Sequence, residues 1–187
     1  MIPKSGNRFS EKIMFQTEGI AVRSALFVLA VAIATPALAQ EPVGCDKFKW
    51  PLDKERATLN GTDLPKLASG DRVTWPLPFA TTVALVSFAD AKLPMPPERA
   101  PKSPDSFAGF IQAPAPAHSG TYKITLSSEG WIDVVQNGQF VKSTTFSGAQ
   151  GCDGIRKSVK FYLAAQPFTV EFSSVPANAI RIAITGD

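Results

Sequence analysis

KSVKFYLAAQPFTVEFSSVPANAIRIAITG, residues 157–186, alternates apolar side chains with others at a period of two. Val159, Phe161 and Leu163 stand against Lys160 and Tyr162; Phe168, Val170 and Phe172 against Thr169 and Glu171; Ile180, Ile182 and Ile184 against Arg181. Successive side chains of an extended chain leave opposite faces, whereas a helix repeats near 3.6, so this period marks half-buried strands. Tyr122, Ile124 and Leu126 repeat the pattern upstream against Lys123 and Thr125. One alternating run proves little; several in series, separated by turn residues, are what a sandwich or barrel produces.

Working outward, WIDVVQNGQFVKSTTF (131–146) sets Asn137-Gly138 between two β-rich runs. That dipeptide readily takes the positive φ values of a type I′ hairpin turn. VTWPLPFATTVALVSF (73–88) offers one or two more strands, with Pro76 and Pro78 confining its first part to an edge or bend, and residues 107–112 add a short one. The expected fold is all-β: a two-layer antiparallel β-sandwich, jelly-roll-like, of about seven to nine strands. Helix is scarce, and only LDKERATLN (52–60) resembles a short one. KLPMPPERAPKSPD (92–105) holds five prolines among mixed charges and reads as an extended surface connection, as does APAPAHSG (113–120).

The N-terminal end has a different character. The apolar run ALFVLAVAIA (25–34) follows Arg23 and ends in TPALA (35–39), the basic, apolar and small-residue order of a secretory signal cleaved after Ala39. The run is far short of the roughly 20 apolar residues of a membrane-spanning helix, and Pro36 breaks it, so no stable span is expected after cleavage. Met1 to Ala39 is long for a leader; a start at Met14 brings it within the usual range of about 15 to 30 residues. Gln40 occupies the cleavage point where a lipoprotein needs cysteine. Residues 40–187 are then the working chain, of a size suited to one domain and delivered to the periplasm or beyond the cell. The leader carries Lys4, Arg8, Lys12 and Arg23 against Glu11 and Glu18, so its removal takes +2 off the formal net charge of +3. A nearly neutral remainder does not point to nucleic acid.

Both cysteines, Cys45 and Cys152, fall in the exported part, where thiols are oxidised and an even count implies pairing. Their disulfide would close a loop on the order of 100 residues, for which chain entropy gives roughly 4 to 5 kcal/mol. It would also tether the Gly-rich loop SGAQGCDG (147–154). That loop lacks the Lys-Ser/Thr of a phosphate-cradling motif.

Candidate chemistry is sparse. His118 is the single histidine, so neither a closed zinc site nor a two-histidine iron site can be assembled, and no cofactor is expected. Its neighbour Ser119 lies beside it in a loop, where a nucleophile and base rarely align. A carboxylate-based hydrolase would have to use Glu129 and Asp133, the acids near Trp131. Trp50, Trp75 and Trp131 fit core packing or a flat contact surface for a sugar or protein. Trp131 with Asp133, Arg156 and Lys157 forms the candidate binding set, Lys160 extending its polar rim.

Four segments carry a resemblance: CDKFKWPLDKER (45–56), SFADAKLPMPPERAPKSPDSFAGFI (87–111), GTYKITLSSEGWIDVVQNG (120–138) and GCDGIRKSVKF (151–161). Together they resemble a group of short, exported proteins of Gram-negative α-proteobacteria, over most of the working chain. Some members carry the name homogentisate 1,2-dioxygenase. That name implies a cupin-type enzyme with iron held by two histidines and a glutamate, a set that maps onto no position here because one histidine exists. KSVKFYLAAQPFTVEF (157–172) with IRIAIT (180–185) also resembles the last strands of pre-peptidase C-terminal type β-sandwiches, non-catalytic modules that accompany secreted enzymes. The expectation is therefore an exported, non-catalytic binding or envelope-associated module with a glycan or an envelope protein as ligand. The runner-up is an enzyme, either the dioxygenase of the name or the carboxylate-based hydrolase.

Overall fold

The computed structural model describes residues 40–187, and the leader read at residues 1–39 lies outside the described residues. One turn of 3₁₀ helix (Cys45–Lys47) and helix α1 (Asp53–Leu59) precede the strands. These are β1 (Lys66–Ala68), β2 (Phe79–Ala84), β3 (Val86–Ser87), β4 (Phe107–Ala113), β5 (Gly120–Leu126) and β6 (Trp131–Gln136). Then follow β7 (Gln139–Phe140), β8 (Ser143–Gly148), β9 (Lys157–Leu163), β10 (Phe168–Val175) and β11 (Ala179–Gly186). The count exceeds expectation because β1, β3 and β7 are edge fragments of three, two and two residues. Such fragments are too short to leave an alternating pattern.

The strands form a six-stranded sheet in the order β1-β2-β11-β5-β9-β8 and a five-stranded sheet in the order β3-β4-β10-β6-β7. Every pairing within them is antiparallel except β1 with β2. Thus β2 lies beside β11 and β5 beside β9 in one layer, while β4 lies beside β10 and β6 beside β7 in the other, the connectivity of a jelly roll. The apolar rows meet between the layers. Phe168, Val170 and Phe172 pack with Ile111, Ile132 and Val134 against Ile124, Leu126, Val159, Phe161, Leu163, Ile182 and Ile184 in one cluster. Each fully buried side chain of this kind contributes about 1.5 to 3 kcal/mol.

Part of the outer face of the six-stranded sheet is covered as well, although Tyr162 on β9 stays exposed. Thr125 and Ser158, cross-strand partners, are buried there and share a hydrogen bond of 2.9 Å. The cover is the segment carrying α1, whose Leu59 joins Leu52, Ile155, Ala80 and Ala183 in a second apolar cluster. A helix of seven residues is unstable alone, so α1 owes its form to this docking. Glu55, one turn before Leu59, is buried against the sheet with Lys123 Nζ at 2.8 Å, and Thr185 Oγ1 donates to it at 2.6 Å. Burial opposes ionisation of Glu55, but the bonds from Lys123 and Thr185 overcome it and hold the carboxyl below its ordinary range. Arg181 Nη1 donates to the carbonyl of Leu59 at 2.7 Å. A period of two shows which residues share a face; it does not show whether that face is wet.

Cys45 and Cys152 are joined, their Cα atoms 4.7 Å apart across 107 residues of sequence. The bond clamps the start of the cover to the Gly-rich loop, and Gly44 N–H donates to the carbonyl of Gln150 at 2.8 Å beside it. Among the described residues no helix is long and apolar enough to cross a membrane. Replacing both cysteines by serine is expected to lower the unfolding free energy by about 2 to 5 kcal/mol with far-UV circular dichroism unchanged. Urea denaturation measures this, and a loss under about 1 kcal/mol would show that the cover needs no tether.

Candidate functional site

The site begins with the hairpin. Asn137 and Gly138 take φ of 52° and 71°, and Gln136 pairs with Gln139 across them, as a type I′ turn requires. The returning arm stays beside β6 for only two residues, with a last backbone bond from Val141 N–H to the carbonyl of Val134 at 2.8 Å. From Ser143 it belongs to the other sheet, paired to β9 with an irregular register between Ser143 and Thr145. Strands that change sheets make the corners of such sandwiches. The consequence is an open flank: the first residues of β6 and the edge strand β8 part, leaving a cleft of about 440 Å³. Ile132 and Val159, both core residues, line it, with Trp131 on the β6 side and Phe146 on the β8 side. Phe146 is 60% exposed, with Lys49 Nζ 5.3 Å from its ring centre.

Cations gather around this opening. Lys157 Nζ lies 5.0 Å from the centre of the Trp131 ring and donates to the carbonyl of Gly130 at 3.1 Å. Arg99 lies 5.3 Å from the same ring centre. Lys102 completes the group. Arg156 also lines the cleft but is neutralised by Glu41 and by Glu129, the latter at 2.7 Å. Burial, reinforced by the charges of Lys102, Arg99 and Arg156, holds the Lys157 ammonium below the usual lysine range. Among the described residues, Arg99, Lys102 and Lys157 form no ion pair.

Arg99 and Lys102 reach the cleft because the proline-rich segment is a strap across the outer face of the five-stranded sheet. Met95 N–H donates to Glu171 Oε1 at 2.9 Å, Glu98 N–H to Asp133 Oδ2 at 3.2 Å, and Lys102 N–H to Ser174 Oγ at 3.2 Å. Ser174 sits at a register irregularity of β10 with φ of 55°, a left-handed conformation uncommon for a residue with a side chain. Lys142 pairs with the Glu98 side chain at the strap's edge. Glu171 and Asp133 are direct cross-strand partners, 1% and 4% exposed. Burial pushes both carboxyls up, and the neighbouring Asp133 charge helps raise Glu171 to about 7. Glu171 Oε2 and Ser173 Oγ are buried without a hydrogen-bond partner among the described residues.

Of the candidate residues, the structure brings Trp131, Arg156 and Lys157 to one cleft. Asp133 is elsewhere: it is no rim residue but lies under the strap, where its Oδ1 accepts from Trp131 Nε1 at 2.8 Å and fixes the indole. Lys160 is on the other face of its sheet, paired with Asp187 at 2.6 Å and 4.7 Å from the Trp50 ring centre. Trp50 and Trp75 pack against the two apolar clusters, which leaves Trp131 as the tryptophan of the cleft. His118 is exposed in the loop before β5, its carbonyl accepting from Tyr122 Oη at 2.9 Å. Raised carboxyl pKa values mark catalytic acids where substrate can reach them. Asp133 and Glu171 are sealed under the strap and do not line the cleft. Arg99, Lys102 and Phe146, which line the cleft, and Glu171, which anchors the strap, are residues that sequence reading missed. The pairing of Arg99 and Lys102 with a tryptophan more than 25 positions away leaves no local signal, but Glu171 had one: a lone acid in an otherwise apolar-rich alternation.

Comparison with protein-family models, with curated proteins and with solved structures finds no match. Function must be argued from the cleft itself.

The carboxyl pair makes stability depend on pH with a definite sign. Glu171 is raised above its unfolded value of 4.5, so its favourable contribution is full below about pH 4.5 and is lost as pH climbs to about 7. Across that interval the slope is about 1.4 kcal/mol per pH unit. Thermal melts should show wild type losing stability from pH 4.5 to 7 relative to Glu171→Gln, the two agreeing best at the acid end. Parallel pH profiles would refute the assignment.

Proposed function

We propose that the chain is an exported, non-catalytic binding module of the cell envelope, working in the periplasm or outside the cell, that takes a glycan in the cleft between β6 and β8. The observation that carries this reading is the cleft's composition. An indole locked by Asp133 and an exposed phenylalanine face a polar rim of lysine, arginine and two glutamates, Glu41 and Glu129, over an apolar floor. Sugar rings offer apolar C–H faces to aromatic side chains and hydroxyls to charged donors, so one cleft with both kinds of group suits them. The disulfide supports the exported location, because such bonds persist in oxidising compartments.

The rigid framing favours binding over chemistry. Trp131 is held by a hydrogen bond on its nitrogen and by cations near its ring, so little side-chain freedom is lost when a ligand arrives. A glycan array probed with the exported chain should give discrete ligands whose affinity falls about tenfold or more in Trp131→Ala, in keeping with a central aromatic anchor. Trp131→Phe should retain part of that affinity. Equal retention by wild type and Trp131→Ala would remove the cleft from consideration.

A further inference from the structure

We infer that the ligand of this cleft is an acidic glycan, one whose sugars carry carboxylate, sulfate or phosphate groups. This rests on the glycan reading above and narrows it by charge. The first observation is that Trp131 is not an open stacking plate: Arg99 and Lys157 stand 5.3 Å and 5.0 Å from its ring centre, and its nitrogen is already bonded to Asp133. A neutral sugar seeking the face of this ring meets two cations there. An anionic group meets them as partners, and the exposed ring of Phe146 across the cleft likewise has a cation near it, Lys49 Nζ at 5.3 Å from its centre.

The second observation is that the fold gives carboxylate partners to Arg156, Lys123 and Lys160 but leaves Arg99, Lys102 and Lys157 without one among the described residues. Arg156 has two carboxylates, Lys123 has Glu55, and Lys160 has Asp187. Arg99, Lys102 and Lys157 repel one another, and among the described residues no carboxylate lies at ion-pair distance from any of them. The repulsion is felt at Lys157, whose charged form is disfavoured by its burial and by Lys102, Arg99 and Arg156, against a smaller opposing pull from Glu129. Two of the three cations are delivered by the strap, whose amides are bonded to Asp133, Glu171 and Ser174, so their convergence is built in rather than left to mobile surface side chains. An anion among them relieves the repulsion and gains charge-assisted hydrogen bonds, with Arg99 able to present two N–H groups to one anionic group.

The experiment titrates the exported chain by calorimetry with polygalacturonate, fully methyl-esterified polygalacturonate, dextran sulfate and dextran. At least one acidic polymer should bind and its neutral counterpart should not, with affinity roughly tenfold lower at about 0.5 M salt than at about 0.05 M. Which acidic polymer binds tells carboxylate from sulfate recognition. Lys157→Met and Arg99→Ala should each weaken binding by at least about fivefold, while Lys66→Ala, on exposed β1, should not. Near-UV circular dichroism confirms that the variants are folded. Binding of neutral and acidic members alike, lost in Trp131→Ala, would overturn the acidic assignment and leave the glycan reading standing. Loss in Lys66→Ala equal to that in Lys157→Met would overturn it as diffuse surface attraction. No binding by any polymer, with no glycan-array ligand, would overturn both.

Discussion

Asp133 and Glu171 face each other on neighbouring strands, almost fully buried, with three donors for four carboxylate oxygens. Like charges directly opposite in a sheet are destabilising, and buried charges are costly without partners, so such a pair persists only when something else depends on it. Here the strap depends on it. Two of the strap's three backbone bonds to the sheet end on these carboxylates, and Trp131 takes its orientation from one of them. Were both residues apolar, the sheet would lose a repulsion, but the strap would lie on a surface offering its amides no acceptor. Arg99 and Lys102 would then have no fixed approach to the cleft.

The other sheet solves a similar problem differently. Its outer face also carries a buried acid, Glu55, but that acid has Lys123 and Thr185 as partners and stays ionised. The two acids therefore respond to pH in opposite senses: Glu55 favours the fold above its unfolded value, whereas Glu171 favours it below. A cover built around an ion pair and closed by a disulfide has no reason to move, and it carries no cleft residue beyond Glu41 and Pro42 at its start. The strap has neither a cation over its carboxylates nor a covalent tie. The side of the molecule that carries the cleft is the side held by the weaker set of bonds, the arrangement expected of a ligand-contacting segment.

What the sequence discloses follows from how far each signal reaches. The inward rows of β5, β9, β10 and β11 are legible because alternation is local, and the Asn137-Gly138 turn because two residues suffice to specify it. The fate of the hairpin's second arm is not legible. VKSTTF is β-rich in either sheet, and its departure after Phe140 is settled by its pairing with β9, whose own residues lie further along the chain. The covered outer faces are hidden for the same reason: Lys123, Thr125, Asp133 and Glu171 read as wet because nothing near them in sequence announces α1 or the strap. Trp131, Arg156 and Lys157 could be named as a set because each stands where a turn gives way to a strand, β6 or β9. The fourth and fifth members of the set, Arg99 and Lys102, could not.

The strap's composition, which suggests a solvated connection, is what suits it to this task. Met95, Glu98 and Lys102, the residues whose amides bond the sheet, directly follow Pro94, Pro97 and Pro101. Proline holds its own φ near −65° and has no N–H, so each of these amides is the first donor after a fixed, donor-free position. The segment cannot satisfy itself as helix or ladder, and its few donors are left for acceptors elsewhere. It also loses less freedom on docking than an ordinary chain, because proline has already restricted the undocked state. Three bonds at 2.9 to 3.2 Å, two of them to buried carboxylates, can then hold a stiff segment that the same three bonds would hold poorly if it were flexible. A run of prolines facing two acids is thus a way to carry cations to a cleft from the far side of a sheet.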